Sequence, residues 1–197
     1  MPNRPQFVLA SRSPRRVQLL REAGYRFETA PADVVEVPAA GESPLDYARR
    51  LALAKARAAA TGAGPTLGAD TDVSLDGRIL GKPRDAEDAI TMLLALSGRR
   101  HQVISAVALV DGARAEVLAT VTEVEFVALD RAQALAYWAT GEPADKAGAY
   151  AIQGLAARFV RAVRGSVSGV IGLPLAESCE LLAGFGIYPA SDAEVFR

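Results

Sequence analysis

TLGADTDVSLDGRIL, residues 66–80, reads as a short apolar strand that ends on a carboxylate and then folds back as a hairpin. Thr66 to Ala69 are small and mostly apolar, suited to the inside of a sheet, and they deliver Asp70 to the strand's carboxyl end. Asp76 and Gly77 tolerate the left-handed conformations of a tight turn, which returns the chain through Arg78 to Leu80. Helices flank this hairpin in sequence. Ser43 and Pro44 give an N-cap and a first-turn proline, opening an Ala-rich and Arg-rich helix to about Ala60. Asp85 caps another that continues to Leu96. Strands that alternate with helices, some neighbours being joined by tight turns, specify an α/β protein with a mixed sheet.

The same grammar extends outward. Gln6 to Ala10 reads as a buried strand, and Ser13 with Pro14 starts a helix that stops at Gly24. SGRR, residues 97–100, leads into a strand from Gln102 to Val110, and Asp111 with Gly112 pairs it to Ala115 through Phe126. Asp130 begins a helix through Trp138, TGEPADKAGAY follows as a loop, residues 158–163 read as a strand, and Pro174 opens the last helix. No repeat, low-complexity tract or linker divides the chain, so residues 1–197 are read as one domain.

Half of the 197 residues are hydrophobic, 23% are charged and the net charge is -1, a balance that argues against a general nucleic-acid-binding face. Any anion site must be local. One cysteine, Cys179, excludes an internal disulfide and fits a reducing compartment, and one His with one Cys makes a zinc site of those ligands improbable. No apolar run approaches the roughly 18 to 20 residues that span a bilayer, and the first residues carry no signal-like segment, so a cytoplasmic protein with no membrane partner is expected.

Only three of the 22 basic residues are lysine, namely Lys55, Lys82 and Lys146. In a chain that otherwise uses arginine, a retained lysine suits a place needing a compact point charge. Each stands beside residues able to hold phosphate or metal. LASRSPRR places Ser11 and Ser13 in the turn before a helix whose first residues include Arg15 and Arg16. A helix N-terminus carries free N–H groups and a positive dipole end, so the segment reads either as a phosphate cradle or as a capped helix with solvated arginines. GADTD sets Asp70, Thr71 and Asp72 where they can bind a divalent cation, accept a proton from water, or simply end a strand. Asp33 and Glu36 could join the same metal. In DKAGAYAIQG the Gln153 carboxamide offers a donor beside an acceptor, matching the adjacent carbonyl and N–H of a uracil or thymine edge, though it could equally tie down a loop. GKP is not a P-loop, because Pro83 stands where Ser or Thr is required, and GSVSG is not a nucleophile elbow, because Val167 fills the nucleophile position. His101, alone in a strand, reads as structural.

Taken in order, SRSPRR, the helix carrying Lys55, GADTD, GKPRDAEDA, LSGRRHQVISAV, GEPADKAGAYAIQG and GLPL closely resemble the Maf family of nucleoside triphosphate pyrophosphatases, from about residue 7 to residue 185. The resemblance implies a cytoplasmic, homodimeric enzyme related in fold to the inosine triphosphate pyrophosphatases, with a twisted mixed sheet flanked by helices and a central cleft between two lobes. It also implies a divalent cation (Mg, Mn or Co), with Glu36 and Asp70 as its ligands and Asp70 as the proton acceptor. Ser11, Ser13, Arg15, Arg16, Lys55, Lys82 and Lys146 fall on substrate-binding positions. Arg15, Thr71 and Gln153 match positions that set base choice, and SPRR with DKAGAY and IQG is similar to the branch acting on dTTP and UTP. The sequence departs from the family pattern at Val35, Ala151 and Val167. Two rival expectations are a nucleotide sensor without catalysis and a related enzyme with broader purine substrates.

Overall fold

The computed structural model describes residues 5–62 and 64–189; the outermost residues of the expected 1–197 domain lie outside that range. Among the described residues seven strands and six helices follow one another: β1 Phe7–Ala10, α1 Pro14–Glu22, β2 Phe27–Thr29, α2 Pro44–Ala59, β3 Thr66–Leu75 and β4 Arg78–Leu80, then α3 Ala86–Leu96, β5 Arg100–Asp111, β6 Arg114–Phe126 and α4 Arg131–Trp138. Three short 3-10 turns between residues 142 and 159 precede β7 Val160–Arg164, α5 Val167–Ile171 and α6 Leu175–Gly184. The strand order is β2-β1-β3-β5-β6-β7, with β4 also paired to β3. β1 runs parallel to β2 and β3, whereas β4, β5, β6 and β7 join antiparallel, so the sheet is mixed as the turn signals predict.

The caps act locally. Ser43 accepts a hydrogen bond from the Asp46 amide at the start of α2, Asp85 does so from Asp88, and Asp130 with Gln133 forms a full capping box. Ser13 precedes α1 but makes no side-chain cap bond, contrary to the expected role. Two elements carry no clear sequence signal, β2 and α5. Three residues suffice for β2 because β1 supplies its parallel partners, Phe7 opposite Phe27 and Leu9 opposite Thr29.

β3 differs from the sequence reading in a way that shapes the molecule. The pattern ends the strand at Ala69, yet it continues to Leu75 because β5 pairs with it without interruption from Thr66 to Ser74. On its other edge β1 covers only Thr66 to Gly68, and β4 takes over at Val73. Residues 69 to 72 therefore have no neighbouring strand on one side. Leu67 and Ala69 belong to a core with β1, α1 and α6, while Val73 and Leu75 belong to a second core with α3, α4 and the 3-10 segment. The cleft between the two lobes opens where β3 crosses from one core to the other.

The opposite face of the sheet is covered by α2. Ala48, Ala52 and Ala56 pack on Ile104, Ala106 and Ala108 of β5. Small side chains let the helix lie close, and Gly68 makes the approach tightest: a Cβ there would stand 2.3 Å from the Ala52 carbonyl oxygen and 2.5 Å from the Ala56 nitrogen.

Candidate active site

Alternation along β3 places Asp70 and Asp72 on the α2 face, opposite Ala106 and Ile104, and Thr71 on the other face opposite Ser105. Lys55, on the buried stripe of α2, reaches Asp70 with Nζ 2.6 Å from Oδ1. The same ammonium is 2.6 Å from Oε1 of Glu36, which stands in the irregular segment between β2 and α2. One lysine thus joins two carboxylates more than 30 residues apart in sequence. Oδ2 of Asp70 and Oδ2 of Asp72 are buried and have no hydrogen-bond partner. Burial, and next the Asp70 carboxylate alongside, push the Asp72 carboxyl up to about 9, with Lys55 opposing. Burial and the charges of Asp72 and Asp70 push the nearby Tyr47 phenol up to about 12.

At the start of α1 the two arginines divide their work. Arg16 is spent on the protein: Nε donates to the Gly172 carbonyl at 2.7 Å, and Nη1 donates to the Ala69 carbonyl at 2.8 Å and to Ser11 Oγ at 3.3 Å. Ala69 lies in the stretch of β3 without a neighbouring strand, so this guanidinium satisfies an edge carbonyl that a strand would otherwise take. Burial pushes Arg16 down, the Asp70 charge opposing. Ser11 Oγ also accepts from the Ser13 amide at 3.1 Å, shaping the turn. Thr71 Oγ1 is 2.7 Å from Ser105 Oγ and donates to the Gly172 carbonyl at 3.1 Å. Arg16 and Thr71, read as ligand contacts, therefore hold the cleft's wall together; Arg15 and Ser13 keep their side chains at the cleft without such bonds.

The opposite wall comes from the turn after β4 and the 3-10 segment. The Gly148 amide donates to the Gly81 carbonyl at 3.0 Å, which docks DKAGAY beside GKP and brings Lys146 and Lys82 to one side of the cleft. Gly148 has φ +65 and sits directly over Val73, whose side chain a Cβ would meet at 2.9 Å. Lys146 pairs with Asp145, and that contact holds the Asp145 carboxyl below its usual range. Behind the loop, Glu142 accepts from Tyr137 Oη at 2.6 Å and from the Leu155 amide at 3.0 Å, fixing both ends of the segment that presents Gln153. Burial raises the Glu142 carboxyl, but those donors outweigh it and leave it lowered. His101 Nε2 lies 2.8 Å from Tyr150 Oη, and burial pushes the imidazole down to about 4, so it is a neutral structural partner, as its isolation in sequence suggested.

These walls enclose a cleft of about 680 Å³, a volume usual for small-ligand sites. Ser11, Ser13, Arg15 and Arg16 line one side, Glu36, Lys55, Asp70 and Thr71 the floor, and Lys82, Lys146 and Gln153 the far side. All the sequence-derived candidates but one are thereby gathered in one place; Asp33, offered with Glu36 for the metal, instead pairs with Arg12 at 2.8 Å on the exposed surface. Tyr47 and Tyr150 also line it and were not among those candidates. Tyr150 lies within a quoted motif, but Tyr47 had only the helical spacing of eight residues to Lys55 to mark it.

Buried acids facing lysines in a sheet gap, next to a helix N-terminus, define an α/β protein built to handle an anionic ligand. The chain belongs to the Maf-like proteins, whose family model matches residues 6–185. It is 49% identical over 191 residues to the dTTP/UTP pyrophosphatase of Saccharophagus degradans, covering 94% of this chain and 91% of that protein. Proteins of the same name from Xanthomonas euvesicatoria and Xanthomonas oryzae are 53% and 54% identical over 187 residues, covering 91% of this chain and 98% of theirs.

Proposed function

We propose that this protein hydrolyses dTTP and UTP to the nucleoside monophosphate and pyrophosphate, by attack of water at the α-phosphorus. The observation that carries the reading is the floor of the cleft, where the buried Asp70 carboxylate faces cationic walls assembled from three distant segments. Asp70 accepts the proton of the attacking water. Its Oδ1 is oriented by Lys55, whose ammonium lies 2.6 Å away. Arg15, Lys82 and Lys146 neutralise the triphosphate from the two walls, and the free amides of the α1 N-terminus add donors. Most of the rate enhancement comes from position and charge, as expected for transfer at phosphorus. Gln153 reads the base edge at the mouth.

The resemblance assigns a divalent cation to Asp70 and Glu36. Asp70 Oδ2, a buried acceptor without a partner, fits such a group. When bound, Mg, Mn or Co would supply positive charge against the phosphate oxygens. Two further properties belong to the same reading, a homodimeric state and a cytoplasmic location. Among the described residues no helix is long and apolar enough to cross a membrane.

The test is to incubate the pure protein with each common triphosphate and Mg²⁺, measuring pyrophosphate against orthophosphate. Pyrophosphate from dTTP and UTP is expected, and Asp70→Asn should lower the rate at least about 100-fold while keeping the fold. Orthophosphate as first product, or full activity in Asp70→Asn, would refute the mechanism. Binding of triphosphates without any turnover would favour a sensor. Light scattering on the eluting protein measures the dimer.

A further inference from the structure

Gln153 is exposed at the mouth of the cleft, and its carboxamide makes no hydrogen bond among the described residues. A side chain free in this way is placed only as well as its backbone. That backbone belongs to neither helix nor strand: it is a turn in which the Gly154 amide donates to the Ala151 carbonyl at 3.0 Å, just before the 3-10 turn Leu155–Phe159. One pair of side chains ties it down. Tyr137 Oη, on α4, donates to Glu142 Oε1 at 2.6 Å and accepts from the Ala151 amide at 3.1 Å. Glu142 Oε2 accepts from the Leu155 amide at 3.0 Å, and Oε1 also from the Ala156 amide at 3.4 Å. Amides on both sides of Gln153 thus converge on a single carboxylate and its phenol.

The pair is itself held from behind. Tyr137 is fully buried, its ring edge-on to Phe159 with centroids 5.4 Å apart, and Gly154 leaves the room that a Cβ would take from the Glu142 carboxylate. Neither Tyr137 nor Glu142 lines the cleft, so any effect on a ligand passes through the turn. A carboxamide tells one base edge from another by where its donor and acceptor stand, and the match to the adjacent carbonyl and N–H of uracil is lost when the turn shifts. We propose that Glu142 and Tyr137 are positioning residues for base choice, so that the preference for uracil over cytosine resides partly in a carboxylate and a phenol outside the cleft. The inference rests on the reading of Gln153 as the group that meets the base. A carboxylate is required at residue 142, because Tyr137 and Leu155 donate to separate oxygens and a glutamine would turn its NH₂ towards one of those donors.

The test is calorimetry on the full-length protein with three probes: α,β-methylene UTP, α,β-methylene CTP and inorganic triphosphate. The methylene group replaces the oxygen that attack at the α-phosphorus would release, so affinity is read without turnover. Glu142→Gln and Tyr137→Phe should each weaken the UTP analogue about tenfold, the loss of one well-placed hydrogen bond, and change the CTP analogue and inorganic triphosphate by less than about threefold. In a Gln153→Ala background Glu142→Gln should leave the preference unchanged, since no carboxamide remains to be positioned. Tyr137→Phe keeps the ring against Phe159 and decides alone should Glu142→Gln not fold. A merely structural role would lower all three affinities together with the melting temperature. That result, or the parental preference in a folded variant, overturns the inference. Pyrophosphate release from UTP by the unmodified protein is scored separately. Release with a preference indifferent to both variants defeats the inference alone, and no release with a preference that depends on Glu142 defeats the hydrolytic reading alone. A parent that binds both analogues equally defeats the role given to Gln153 and the inference with it.

Discussion

Gly68→Ala is the substitution that most directly tests how the fold builds the site. The new Cβ would meet the Ala52 carbonyl oxygen at 2.3 Å, the Ala56 nitrogen at 2.5 Å and the Ala56 Cβ at 2.9 Å. Two of those atoms are helix backbone and cannot rotate away, so α2 must retreat from β3 by about 1 Å to restore ordinary contact. Overpacking of this kind costs roughly 1 to 3 kcal/mol, and rigid backbone puts the value near the upper end, about 3 kcal/mol. For a chain of this size that is a fall in melting temperature of about 6 to 12 °C. The same retreat draws Lys55 from Asp70, where the present distance is 2.6 Å. A misplacement of about 1 Å at a reacting centre lowers rate about 100-fold, so turnover should fall far more than the folded fraction does at 25 °C. The assay is paired: thermal melting, and pyrophosphate release from dTTP at saturating substrate. Adding Ala56→Gly removes only the least of the three clashes and should not restore activity. A Gly68→Ala protein with parental melting temperature and turnover would refute the claim that close helix approach positions Lys55.

Three other outcomes follow from the site's construction. Lys82 is exposed and makes no ion pair among the described residues, so Lys82→Ala should lower kcat/KM about 100-fold with melting temperature unchanged; a stability loss would contradict a purely ligand-facing role. Buried His101 titrates near 4 when folded against 6.5 in the reference state, so its contribution is present above pH 6.5 and is lost as pH falls towards 4, by about 3 kcal/mol. Urea titrations should therefore show a smaller drop between pH 7 and pH 4 in His101→Gln than in the parent. Finally, a Cβ on Gly154 would overlap the Glu142 carboxylate at 2.1 to 2.4 Å, so Gly154→Ala should displace that carboxylate from Tyr137 and Leu155 and raise KM for dTTP several-fold more than it lowers kcat. Equal effects on both parameters would argue against a loop-positioning role.

The sequence by itself determined whatever depends on neighbours in the chain. Ser43, Asp85 and Asp130 start helices because their side chains satisfy amides three residues on, and Asp76–Gly77 turns a hairpin because those residues accept positive φ. The ordered motifs likewise pointed to most of the polar side chains that line the cleft, though Tyr47 was not singled out. The tertiary structure alone decided how those side chains are used, since that depends on atoms distant in sequence. Pairing with β5 carries β3 past Ala69 and turns Asp70 from a strand end into mid-strand, on one face with Asp72. The absence of a strand beside Ala69 engages Arg16 as a structural donor, and the contact with Gly172 does the same to Thr71. Residue type states which bonds a side chain is able to make, and only packing settles which partner arrives first.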